Sequence, residues 1–95
     1  MQFQVTDVKF RKLFDTEPLK AVCSLTISDS LAVHDVKLVN AKGRMIVVMP
    51  SRKRSDGEFS DIIHPINSES RKIIEDAVIN EYERAKTEIK LFAEI

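Results

Sequence analysis

The stretch from Asn67 to Ile95 contains neither glycine nor proline, and this most narrows what the chain can fold into. Ile74, Ala77, Val78, Tyr82, Ala85, Ile89 and Phe92 recur there at spacings of three and four. Such a stripe is one face of a helix able to lie on a sheet. Asn67 and Ser68 are good N-caps for it, since their side-chain oxygens accept from the first free backbone N–H groups. At about 1.5 Å per residue the helix exceeds what a small sheet needs. Its last turns are therefore expected to pack on another chain or fray.

Upstream the period changes to two. Leu19, Ala21, Cys23, Leu25 and Ile27 share one face of a strand, with Lys20, Ser24, Thr26 and Ser28 on the other. From Phe3 to Leu13 the alternation slips near Asp7, and from Leu31 to Leu38 it slips at His34-Asp35; a bulge produces such a slip. Ser28-Asp29-Ser30 is a turn that makes a hairpin of the second and third strands. Asn40-Ala41-Lys42-Gly43 is the next turn. Met45 to Met49 is apolar on both faces, as in a central strand or one covered twice. Pro50 ends that ladder, and Pro50 to Gly57 reads as a polar loop. Phe59 to Ile66 is a short strand or extended segment, confined to an edge by Pro65.

The fold class that follows is α+β: an antiparallel β-sheet of four to five strands, then a long C-terminal α-helix packed on it. A sheet covered on one side only leaves its other face and an edge strand open, so a homodimer that covers them is expected. Ninety-five residues suffice for one domain and not for two cores. The single Cys23 cannot form an internal disulfide, which fits a reducing, cytoplasmic setting. There is no signal-peptide pattern behind Met1 and no apolar run long enough to span a membrane. Fifteen basic and fifteen acidic side chains cancel, so attraction to a polyanion has to come from local clustering. Residues 1–66 hold ten cations against eight acids, and residues 67–95 five against seven.

Two constellations invite a catalytic reading. His34-Asp35 and Asp61 to His64 supply the ligand types of a zinc or iron site, but neighbouring strand residues face opposite ways and the spacing matches no compact ligand motif. The architectural reading is preferred: His34 and Asp35 anchor a bulge, while His64, Pro65 and Asn67 set the entry to the helix. Cys23 lies on the apolar face of the best strand, where burial raises a thiol pKa, the opposite of activation. There is no Gly-rich phosphate loop, no serine elbow and no carboxylate pair at helical spacing, so no cofactor, metal or catalytic residue is assigned.

Ser51-Arg52-Lys53-Arg54-Ser55 is the remaining candidate. Three consecutive cations project into solvent, where they can take consecutive phosphates through charge and, for arginine, paired hydrogen bonds. Ser51 adds a hydroxyl. Asp56 and Glu58 subtract from the field, and with only Phe59 nearby extensive base stacking is not expected.

Several blocks together resemble one bacterial family. Val33-His34-Asp35-Val36, Met49-Pro50-Ser51 with its basic residues, Asp56-Gly57-Glu58-Phe59, Asp61-Ile62 and His64-Pro65-Ile66-Asn67 occur in the order and spacing of the SpoVG (stage V sporulation protein G) family. The resemblance runs from about Val5 to Tyr82, giving a SpoVG-like domain over residues 1–82 and a helical extension or tail over 83–95. It implies a small α+β homodimer that binds DNA, in some members RNA, and regulates septation, sporulation, capsule or virulence programmes without being an enzyme. The family's basic pair after Met-Pro-Ser falls on Arg52 and Lys53, and Arg54 extends it. A rival expectation is a protein-interaction module, docking through a strand edge or the Ala85-Ile89-Phe92 stripe with no nucleic-acid contact.

Overall fold

In the computed structural model the described residues are 3–93, with side chains described through Thr87. Four antiparallel strands form a meander in the order β1 (Val5–Leu13), β2 (Leu19–Ile27), β3 (Leu31–Ala41) and β4 (Arg44–Val48). A separate two-stranded hairpin follows, β5 (Ser51–Lys53) with β6 (Phe59–Asp61), and then α1 (Ser68–Ala93). Among the described residues no helix is long and apolar enough to cross a membrane.

Turn chemistry fixes the meander. At the β2–β3 turn Ser28 and Asp29 have φ of 51° and 56°, and the Ser30 N–H donates to the Ile27 carbonyl at 3.0 Å. At the β3–β4 turn Lys42 and Gly43 have φ of 54° and 84° and join the paired residues Ala41 and Arg44. Two central residues with positive φ match the right-handed twist of the flanking strands, which is why a glycine sits in the second of these turns.

The phase slips in the sequence are irregularities in the ladders. The β1–β2 register shifts between Val5 and Asp7 and again between Phe10 and Lys12. The β2–β3 register shifts between Cys23 and Leu25, where His34 and Asp35 stand opposite Ser24 alone. Asp35 takes φ 61° there. Extra residues in one strand restore the apolar set to the core face.

That face carries Ala21, Cys23, Leu25, Val33, Val36, Leu38, Val47 and Met49, all buried against Ile74, Val78 and Tyr82 of α1. The Phe10 and Tyr82 rings meet edge to face with centroids 6.1 Å apart. Each large apolar side chain removed from water contributes about 1.5–3 kcal/mol, so this single layer holds the helix on the sheet. Asn67 caps the helix: its Oδ1 accepts from the Ser70 N–H at 2.7 Å.

The structure departs from expectation in two places. β4 is an edge strand of the four-stranded sheet and not a central one, and Ile46 and Val48 on its outward side are exposed. Residues 51–53, expected in a loop, form β5, because Phe59–Asp61 folds back beside them and gives their backbone groups a ladder. The helix also runs through position 82 without a break. Side chains of Ile89 and Phe92, placed in the apolar stripe, and residues 94–95 of the tail lie outside the described set.

Candidate nucleic-acid interface

Pro50 has no N–H to offer, so β4 cannot extend through it, and the chain leaves the sheet. Its carbonyl accepts from the Ile62 N–H at 2.9 Å and closes the base of the β5–β6 hairpin. Ser51 pairs with Asp61, Arg52 with Ser60 and Lys53 with Phe59. All six strand residues are exposed.

The tip is held by its own polar groups. The Arg54 N–H donates to the Glu58 carbonyl at 2.6 Å, and the Gly57 N–H donates to the Arg54 carbonyl at 3.0 Å. Asp56 Oδ1 accepts from the Glu58 N–H at 3.0 Å. Gly57 has φ 88°, a conformation that suits a residue without Cβ.

The three cations are not equivalent. Arg54 Nη2 lies 2.7 Å from Asp56 Oδ2, so the third cation is paired with an acid of its own turn. Among the described residues Arg52 and Lys53 form no ion pair. Alternation along β5 sends them to opposite faces of the hairpin, with Ser51 on the Lys53 side. Lys53 stands beside Phe59, a residue that is 67% exposed. A phosphate backbone laid over one face would meet Lys53, Ser51 and Phe59, with the acid Asp61 opposite Ser51 subtracting from the charge there, and over the other face Arg52 and Ser60.

The residues at the bulge and at the helix entry lie elsewhere. His34 Nδ1 is 2.9 Å from Ser24 Oγ across the β2–β3 ladder, and Asp35 is 2.9 Å from Arg11 Nη1. His64 Nδ1 donates to the Pro65 carbonyl at 3.0 Å, and Pro65 and Asn67 lead into α1. The two histidines belong to different regions, and among the described residues no three His, Cys, Asp or Glu side chains gather into a metal-binding group. Cys23 is buried, and burial pushes its thiol up to about 11. On the helix the Arg84 guanidinium holds the Glu81 carboxyl below its usual range.

Two surface features escape a reading by short motifs. Phe3, Leu31, Ile63, Pro65 and Ile66 line an apolar cavity of about 400 Å³ between the sheet and the start of α1, and Ile66 is 87% exposed. The face of the sheet turned away from α1 gathers Lys9, Lys12, Lys37 and Arg44. These are scattered over 36 positions of sequence, so only strand pairing brings them together.

Comparison with known proteins gives the hairpin its context. The SpoVG family model matches residues 3–84. A protein of Caldanaerobacter subterraneus subsp. tengcongensis named "Putative septation protein SpoVG" is 46% identical over 83 residues, covering 87% of this chain and 91% of the relative. Proteins of the same name from Clostridium kluyveri and Clostridium perfringens are each 44% identical, over 90% and 86% of this chain and 88% and 91% of theirs. A match over nearly all of the described fold, with relatives well above 30% identity across their own length, means that this chain belongs to the SpoVG family.

Proposed function

We propose that this protein is a nucleic-acid-binding regulator of septation or sporulation that works as a homodimer in the bacterial cytoplasm. Arg52 and Lys53 take phosphates, Ser51 adds a hydroxyl contact, and Arg54 contributes less because Asp56 already neutralises part of its charge. The septation and sporulation context comes from the names of its relatives. No catalytic step is assigned to it.

The observation that carries the reading is the hairpin: two cations without acidic partners among the described residues, on opposite faces of a projecting ribbon with every strand residue exposed. Charge contacts of this kind act on any sequence and weaken steeply with salt. In a dimer the ribbon occurs twice, and two linked sites hold a polymer far better than one.

Arg52→Gln with Lys53→Gln is the test, read by fluorescence anisotropy on labelled duplex DNA, single-stranded DNA and RNA at several salt concentrations. Affinity falls for every sequence, and the slope of log K against log salt becomes shallower by up to roughly two units for each protomer that engages the polymer. Unchanged binding would remove the hairpin from the interface.

A second reading, a module that docks another protein, is favoured by Phe59, Ile62 and Ile66, which are 67%, 67% and 87% exposed. The same double variant separates the two: under this reading it leaves partner binding intact, and nuclease treatment does not release the partner.

A further inference from the structure

The four-stranded sheet has one face under α1 and one without a covering element among the described residues. Pairing assigns the open face residue by residue. Lys12, Val22, Lys37 and Val48 form one cross-strand row, Lys9 and Ser24 another, and Asp7 pairs with Thr26. Val39 with Ile46 and Ala41 with Arg44 complete the β3–β4 side. Across its middle Arg11 is bonded to Asp35 at 2.9 Å, so that pair cancels.

What remains is lopsided. Lys9, Lys12, Lys37 and Arg44 are exposed and form no ion pair among the described residues, against the single acid Asp7. The whole chain, by contrast, balances fifteen cations with fifteen acids. Lys12 and Lys37 are two strand spacings apart, about 10 Å, near one Debye length at physiological salt, so their potentials overlap. Lys12 Nζ also sits 5.4 Å from the centroid of the Phe14 ring, which holds it at the corner of the face.

We propose that this open sheet face is a second phosphate-contacting surface, on which Lys9, Lys12, Lys37 and Arg44 hold the backbone of the nucleic acid engaged by the β5–β6 hairpin. The inference rests on the nucleic-acid reading above and extends it to a second surface. Charge complementarity selects the occupant: two copies of the face laid together would set lysine against lysine, whereas a duplex presents one negative charge per about 1.7 Å of axis. The second copy of the chain, expected from the sequence to cover this face, is accordingly assigned instead to the apolar end around the exposed Leu31, Ile62 and Ile66. The aliphatic centre of the face, Val22, Val39, Ile46 and Val48, offers no ring for base stacking, so it reads backbone charge and not sequence.

The experiment compares full-length variants by anisotropy on a labelled duplex over a salt series. The face variant is Lys9→Gln, Lys12→Gln, Lys37→Gln. A helix variant, Arg71→Gln, Lys72→Gln, Lys86→Gln, removes the same charge from α1. The hairpin variant is Arg52→Gln, Lys53→Gln. The face variant is expected to lose affinity and to lower the salt slope by up to roughly three units for each protomer engaged, with the helix variant within about twofold of wild type. Asp7→Lys, which adds a cation to the same face, tightens binding and guards against a folding artefact.

Equal losses in the face and helix variants, or wild-type binding by the face variant, would overturn the inference and leave the hairpin reading standing. Loss in the face variant with none in the hairpin variant supports the inference and removes the hairpin instead. Absence of duplex binding by the wild-type chain overturns the inference, and absence of binding to single-stranded DNA and RNA as well overturns the hairpin reading. Preference for vesicles of anionic lipid over the duplex, or a change of oligomeric state in the face variant without a change in affinity, also overturns the inference, in favour of a membrane or of self-association.

Discussion

Arg11 Nη1 lies 2.9 Å from Asp35 Oδ1, joining β1 to β3 across the full width of β2. Both residues sit at ladder irregularities, Arg11 between Phe10 and Lys12 and Asp35 beside His34. Two bulges in different strands are thus at the same level of the sheet, tied by one ion pair. With both side chains mostly exposed, the pair itself is worth less than about 1 kcal/mol. The backbone matters more, because Asp35 has φ 61°.

Asp35→Gly therefore trades a weak ion pair for relief at a left-handed position and leaves stability nearly unchanged. Asp35→Val loses the pair and forces a β-branched residue into that conformation, costing about 1–3 kcal/mol more. Urea denaturation of the two variants side by side checks this; equal destabilisation would show that the bulge conformation carries no strain.

The core layer predicts a large effect at Leu38, which is fully buried. Leu38→Ala costs about 2–5 kcal/mol, through lost transfer energy and the cavity left behind. A thermal melt followed by circular dichroism reads it.

Asn67→Ala removes the oxygen that accepts the Ser70 N–H and lowers stability by about 1 kcal/mol. Asn67→Asp keeps an acceptor and adds a negative charge at the positive end of the helix, so it retains stability. The contrast between the two, measured in one denaturant series, isolates the cap from the loss of bulk.

Cys23 sets an alkaline limit. Its thiol is pushed up to about 11 by burial, while an unfolded thiol titrates near 8.5. Between those values the unfolded chain sheds a proton that the folded chain keeps, so stability is intact below about pH 8.5 and declines toward pH 11, by about 3 kcal/mol in all. Cys23→Ala flattens that part of the stability profile relative to wild type. In the folded protein the thiol reacts with a disulfide reagent only as fast as the chain opens; fast labelling under native conditions contradicts its burial.

The proposed homodimer is tested at the apolar end around Leu31, Ile62 and Ile66. Ile62→Glu with Ile66→Glu replaces two side chains that are 67% and 87% exposed, so the monomer fold tolerates both. Light scattering after size exclusion then reports a monomer with an unchanged far-ultraviolet spectrum. A persistent dimer would move the interface elsewhere, the free edge of β4 being the next surface to examine.

Much of the fold was legible because each element announces itself locally. The five-residue apolar face of β2 and the cap at Asn67 are patterns within one element, and the slips at Asp7 and His34-Asp35 are local breaks in a period of two. β5 was not legible: three polar residues after a proline carry no strand signal, and only the return of Phe59–Asp61 beside them makes a ladder. β4 was read as a central strand or one covered on both faces because its residues are apolar on both sides, yet periodicity records side-chain chemistry and not which neighbour is present. Within the candidate site, the basic run was visible as three adjacent letters. Its inequality was not, since the Arg54–Asp56 pair depends on how the turn closes.

The amino-acid order alone determined the succession of β1 to β4 and α1, the faces that β2 and α1 would bury, the helix start and the cationic segment. These follow from period, capping and steric preference, which operate over a few residues. Tertiary structure decided which strands stand at edges, which of the three cations is paired with an acid of its own turn, and that lysines 9, 12 and 37 share one surface. Those outcomes rest on backbone hydrogen bonds between distant segments, whose partners no local rule can name.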